Sequence, residues 1–208
     1  MDTDNKKKLI DVIRYYAVVK EVILWNEQID PTNKSDLQVV NELRHSFDHL
    51  MRVLASEFEV DKDKDNLYIN LNLQKTIGHV TRAGYDTLDW LSLNLKEQIG
   101  IEIKGFSLAT IKAVYPDYWK DKEALNKLQI DISEARAKKD VSDLDFHNFV
   151  DYTLRVKEVH KLWSKILSKK TNLIEYESKL KNEKVKKYIG KIALVLMGAL
   201  IGFVLGKI

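Results

Sequence analysis

Cysteine is absent from this chain of 208 residues, and proline occurs only twice. Without cysteine the chain forms no disulfide and offers no thiolate as nucleophile or metal ligand. Because proline is the strongest helix breaker, its scarcity permits long uninterrupted helices. No segment alternates apolar and polar residues in the manner of a half-buried strand. These absences predict an all-α protein.

The motifs of common nucleotide-binding and hydrolytic enzymes are also missing. The sequence contains no G-x-x-x-x-G-K-[ST] loop, no G-x-G-x-x-G turn and no G-x-S-x-G elbow. Nucleotide hydrolysis, dinucleotide binding and serine hydrolysis of the usual kinds are therefore not expected. Residues 1–8 are polar and charged, so we expect no signal peptide there.

Apolar residues recur at helical spacing and predict an antiparallel helical bundle. A first helix runs from Leu9 to Ile29 and ends before Pro31, because the residue before proline avoids the α conformation. A second helix begins at the N-cap candidate Ser35, and a third spans residues 67–99.

Shorter segments follow before one long helix. Ser107 is placed to cap a short helix, and a charged helix precedes a break near Val141. From Asp145 to Lys187 the pattern is amphipathic and uninterrupted. We expect a bundle over residues 1–140, a long basic helix over 141–187 and an apolar segment over 188–208.

The apolar segment ends the sequence. Ile192 to Gly206 carries no charge and has glycine at every fourth position, at Gly198, Gly202 and Gly206. Such a stripe allows close helix packing in lipid. Counted from Tyr188, about 21 residues are available to cross a hydrocarbon core of ~30 Å. The sequence predicts a single, self-associating membrane segment, with a surface-lying helix or a buried C-terminal helix as alternatives.

Lysines gather just before this segment. Residues 178–191 contain six lysines against a single acid, Glu183. Juxtamembrane lysines favour anionic lipid, and the positive-inside rule would place the preceding chain in the cytoplasm. We therefore expect an inner-membrane location with lipid-facing lysines, and a solvated basic helix or nucleic-acid patch is the alternative. The four nearest to the apolar segment are Lys184, Lys186, Lys187 and Lys191.

Two segments carry His-x-x-Arg, namely NELRHSFDHLMR at 41–52 and GHVTRAGYD at 78–86. Antiparallel neighbouring helices would bring them together. The basic members would be Arg44, His45, His49, Arg52, His79 and Arg82, with Asn41, Asp48 and Asp86 to orient them. Such a cluster predicts binding of an anion such as phosphate. The alternative is structural, because Arg44, Asp48 and Arg52 also form an ordinary i, i+4 ladder.

Metal binding is less well specified by the spacing. Glu42-x-x-His45 matches half of a di-iron motif, but a second copy is absent. His45 and His49 could hold zinc only with a third ligand. We expect no metal and no cofactor.

The stretch Arg44-His-Ser-Phe-Asp-His49 resembles the R-x4-6-H signature of the HEPN superfamily of helical ribonucleases. The resemblance covers about residues 35–86 and implies metal-independent RNA cleavage in a dimer. Arg44 would bind or activate the phosphate, and His49 would act as general acid and base. His45 departs from the small polar residue often found after the arginine.

Together with the apolar segment, these motifs are similar to the membrane-pore accessory proteins of type VI-B CRISPR systems. The resulting hypothesis is a tail-anchored, self-associating effector of antiphage defence that perturbs or perforates the inner membrane. The alternatives are a membrane-tethered ribonuclease and a non-enzymatic tail-anchored scaffold. The expected partners are anionic lipids, further copies of the chain, RNA or a nucleotide, and a defence-system protein.

Overall fold

The computed structural model describes residues 1–30, 36–61, 64–139 and 146–205, with side chains omitted at 138, 139, 146 and 199–205. Within these ranges the chain forms six helices and no strand, which confirms the all-α prediction. The helices are α1 (Thr3–Ile29), α2 (Leu37–Glu57), α3 (Asn66–Ile103), α4 (Leu108–Val114), α5 (Tyr118–Lys139) and α6 (Phe146–Leu205).

Short polar side chains define where the helices begin. Asp2, Asp36 and Asp65 each accept a hydrogen bond from a backbone N–H in the first turn that follows. Ser107 caps α4 in the same way, as predicted. These caps satisfy N–H groups that have no partner within the helix. The predicted cap Ser35 lies outside the described residues, and Asp36 is the cap of α2.

Helix α3 is the centre of the bundle, with α1, α2 and α6 packed around it. Its core side chains Leu73, Leu88, Leu91 and Leu95 are fully buried. Helix α6 adds Phe149 and other buried residues to the core that contains Leu88, Leu91 and Leu95, whereas Leu73 lies in a second, smaller cluster formed by α1, α2 and α3.

Hydrogen bonds across the interfaces give the helix directions. Glu42 contacts His79 while His49 contacts Asn72, so α2 and α3 are antiparallel. Asn5 donates to the Asn66 carbonyl near the start of both α1 and α3, and these helices are parallel. The chain therefore runs up, down and up through its first three helices.

Gly84 lies where α1, α3 and α6 pack against one another. A Cβ atom there would lie 2.7 Å from the Phe149 ring and 2.8 Å from Val19. Real Cβ atoms do not tolerate such distances, so only glycine fits without movement of the buried ring. This contact fixes α6 against the α1–α3 pair.

The described chain contradicts the predicted membrane segment at 188–208. In the described residues, no helix combines the length and apolarity that crossing a membrane requires. The predictions of a tail anchor, a pore and an inner-membrane location are therefore wrong.

Where the structure describes them, the residues predicted to pack in the membrane or to contact lipid are exposed. A Cβ atom on Gly198 would meet nothing within 4 Å, and Gly190 does not interrupt α6. Gly202 lies in the part of α6 for which only the backbone is described, and Gly206 lies outside the described residues. The four lysines, Lys184, Lys186, Lys187 and Lys191, are all exposed.

Candidate functional site

Three histidine rings meet at the interface of α2 and α3. The His45 and His79 ring centroids are 5.3 Å apart, and the His49 and His79 centroids are 5.4 Å apart. His45 is exposed, whereas His49 and His79 are half-buried. The antiparallel pairing predicted for the two His-x-x-Arg segments therefore brings the imidazoles into one cluster, which we call the imidazole cluster.

A carboxylate anchors the cluster. Glu42 Oε2 lies 2.8 Å from His79 Nδ1 and accepts a hydrogen bond of 3.0 Å from Arg82 Nε. Burial alone would raise the pKa of Glu42, but the hydrogen bonds from His79 and Arg82 outweigh it, so the pKa is lowered. The Glu42 carboxylate is therefore ionised at neutral pH.

This carboxylate selects the tautomer of His79. Arg82 Nη2 also lies 2.8 Å from His79 Nδ1, but a nitrogen that bears a proton cannot accept one from Arg82. A hydrogen bond to an ionised acceptor is stronger than one between neutral groups. His79 Nδ1 therefore carries the proton and donates to Glu42, which leaves the lone pair of a neutral His79 on Nε2.

His49 is held in the same state by a different group. Asn72 is buried, and its Nδ2 donates to the Tyr68 carbonyl at 2.9 Å. Because a carbonyl can only accept, the amide oxygen of Asn72 must face His49 Nδ1, 2.9 Å away. His49 Nδ1 is the donor and Nε2 keeps the lone pair. The His49 and His79 rings lie within 14° of parallel.

The remaining predicted residues lie around this cluster. Arg52 and Asp48 form an exposed ion pair of 2.7 Å, which contributes little to stability. Arg44 is exposed, and among the described residues no ion pair reaches it. Asn41 and Asp86 are half-buried, with Asp86 four residues beyond Arg82 on α3.

Two important residues were not assigned to the cluster by the sequence. Asn72 lies seven residues before His79 and hence on the same face of α3, which was the available signal. The sequence pattern includes Glu42 only in half of a di-iron motif. The structure brings one ligand atom each from Glu42, His45 and His79 within 4.8 Å of one another, so these three residues could hold a metal ion.

No protein-family profile, curated protein or solved structure matches the chain. The comparisons thus provide no link to HEPN-like or CRISPR accessory proteins. That resemblance stays a prediction.

Proposed function

We propose that the protein binds a phosphate group of a nucleotide or RNA at the imidazole cluster. The observation that supports this proposal most directly concerns Arg82. Its side chain is 49% exposed, and yet its Nε is held by a hydrogen bond to Glu42. A guanidinium held by one edge keeps its Nη hydrogens for a ligand, and its fork matches phosphate oxygens. Little ordering entropy remains to be lost when the ligand binds.

The balance of charge also favours an anion. Glu42 is the acid in direct contact with the cluster and is matched by Arg82, while Asp48 is matched by Arg52. Arg44 then adds a positive charge on the exposed side of α2. A phosphate group gains from these charges without facing an unpaired carboxylate among the described contacts.

The imidazoles indicate more than bare phosphate. His49 and His79, when neutral, each present an Nε2 lone pair, which accepts a hydrogen bond but does not donate one. A ribose hydroxyl supplies the proton that such a lone pair accepts. The cluster therefore suits a phosphate joined to a sugar, as in a nucleotide or RNA.

Fluorescence anisotropy with a labelled single-stranded RNA, in EDTA, tests the proposal. ATP and inorganic phosphate serve as competitors and distinguish the sources of the phosphate group. We expect Arg82→Gln to weaken binding at least ~10-fold, equivalent to the ~1.4 kcal/mol of a charge-assisted contact. ATP competing at a lower concentration than RNA would assign a nucleotide, and the reverse order would assign RNA.

Arg136→Gln is the matched control. Arg136 Nε forms an ion pair with Asp89 at 3.0 Å, and its side chain is 43% exposed, so the exchange removes a similar charge away from the imidazole cluster. We expect this variant to bind like the unmodified protein. Equal loss in both variants, or unchanged affinity in Arg82→Gln, would refute the proposal.

A further inference from the structure

The imidazole cluster also combines ligands of the kind that transition metals prefer. Glu42 and His45 are separated by one helical turn on α2, and His79 approaches from α3. One ligand atom from each lies within 4.8 Å of the other two. We propose that Glu42, His45 and His79 bind one first-row transition-metal ion, with Zn²⁺ as the type case.

The distances are close to those of a zinc site. Ligand bonds of ~2.0–2.1 Å in a tetrahedron place neighbouring ligand atoms about 3.4 Å apart. Glu42 Oε2 and His79 Nδ1 are 2.8 Å apart, and a metal ion bound at Nδ1 takes the place of the proton that this nitrogen now donates to the carboxylate. His45 is exposed, so rotation of its side chain can close the remaining separation without disturbing the core. Two imidazoles and one carboxylate leave the fourth position open.

The surroundings support the ligands. The His49 ring lies against His79 and is itself fixed by the buried Asn72. Neighbouring groups that restrict the rotation of a metal-bound histidine commonly change metal affinity 10- to 100-fold. His49 is therefore a positioning residue for His79.

In the structure the guanidinium of Arg82 forms an ion pair with the carboxylate of Glu42. Its Nε is 3.0 Å from Glu42 Oε2, and its Nη2 is 2.8 Å from His79 Nδ1. A metal ion must displace this guanidinium from the carboxylate. Arg82→Gln should therefore strengthen metal binding, although the same exchange should weaken binding of the phosphate ligand. The two proposals share a site but predict opposite effects of one substitution.

The experiment uses the full chain without an affinity tag, first treated with EDTA and then freed of it. Co²⁺ is added while the visible absorption of tetrahedral cobalt is recorded, and Zn²⁺ is titrated by calorimetry. We expect one ion per chain and displacement of Co²⁺ by Zn²⁺. His45→Ala should weaken binding at least ~10-fold, as expected for the loss of one of three ligands.

Two controls define the result. His147→Ala removes an exposed histidine from the start of α6 and should leave the affinity unchanged. Circular dichroism confirms that each variant is folded, and His45→Ala is suitable because its side chain is exposed. Binding that is equally tight in His45→Ala, or no cobalt absorption in the unmodified protein, would overturn the metal site. RNA or nucleotide binding in EDTA would still test the phosphate proposal separately.

Discussion

Two carboxylates in this bundle, Glu42 and Asp89, have nearly the same surroundings but differ in their capacity to take part in ligand binding. Glu42 and Asp89 have side chains 13% and 14% exposed, and each carboxylate lies 3.0 Å from an arginine Nε in an ion pair. Each also contacts a ring: His79 lies 2.8 Å from Glu42, and the Tyr152 hydroxyl donates to Asp89 at 2.7 Å. The carboxylate and its arginine therefore do not distinguish the two clusters.

The two clusters differ in the ring that contacts the carboxylate. Tyr152 is fully buried, and burial together with the hydrogen bond to Asp89 raises its pKa, so the phenol stays a neutral donor. Its hydroxyl proton is already used by Asp89. His79 instead keeps a second nitrogen and lies against two further imidazoles, His45 and His49. A polar cluster becomes a binding site when its groups retain lone pairs or donors that the fold has not used.

The largest effect should come from replacing each ring group by phenylalanine. Tyr152→Phe and His79→Phe each remove one hydrogen bond to a carboxylate, at a cost of about 1–3 kcal/mol in the free energy of unfolding. Urea unfolding followed by circular dichroism measures that cost. Only His79→Phe should abolish binding of Co²⁺ and of the phosphate ligand.

Tyr152→Phe is the internal control for general loss of stability. If it reduced ligand binding as strongly as His79→Phe, binding would depend on the stability of the whole bundle. The contrast between the two carboxylate clusters would then have no functional meaning.

A smaller effect should follow from Asn72→Leu. The substitution removes the acceptor of His49 Nδ1–H, and the free energy of unfolding should fall by about 1 kcal/mol. His49 is then free to exchange tautomers, whereas His79 keeps its hydrogen bond to Glu42. Side-chain ¹⁵N chemical shifts of the histidines distinguish the two tautomers. A His49 signal unchanged by the substitution would show that Asn72 does not set its state.

Much of the fold was accessible to sequence reasoning. Helical periodicity predicted the all-α class, and the pattern of a polar cap before an apolar face located α4 at Ser107. The start of α1 was placed too late, at Leu9 instead of Thr3. The first two turns of α1 are rich in lysine, and they are helical because Asp2 caps them and Asn5 bonds to the Asn66 carbonyl. Such tertiary contacts leave no local periodicity.

The site was predicted in part. The sequence predicted that antiparallel pairing brings His45, His49 and His79 together, and in the structure the ring of His79 lies 5.3 Å from that of His45 and 5.4 Å from that of His49. The orienting roles of Glu42 and Asn72 depend on which atoms lie within about 3 Å, and a pattern of residue types does not specify those distances.

The apolar end of the chain led to the wrong function. The glycine spacing and the hydropathy of this segment describe which residues it contains, whereas crossing a membrane requires one continuous apolar helix of sufficient length. The described part of α6 has four lysines between Lys184 and Lys191 and no span of the required kind.

The smallest effect concerns a third carboxylate, Glu177, which the structure pairs with hydroxyl and backbone donors. Thr110 Oγ1 donates to it at 2.5 Å, and Ser107 donates through its backbone N–H at 3.0 Å and its hydroxyl at 2.8 Å. The Thr110 bond first, and then those from Ser107, lower the pKa of Glu177 from 4.5 to about 2. Since the pKa is lower in the folded state, the stabilisation is complete above pH 4.5 and is lost as the pH falls towards 2.

Urea midpoints measured from pH 7 to pH 2 should show this loss. The difference between the unmodified protein and Glu177→Gln should stay constant down to about the unfolded pKa of a glutamate and then shrink, because protonation removes the charge that the substitution already lacks. The change should be small, since solvent screens a carboxylate that is only half-buried. Glu177 uses its acceptors to join α4 to α6, so Glu177→Gln should leave binding of Co²⁺ and RNA intact. A loss of binding in this variant would mean that the imidazole cluster depends on the α4–α6 contact, and the separation between a structural carboxylate and a ligand-binding one would fail.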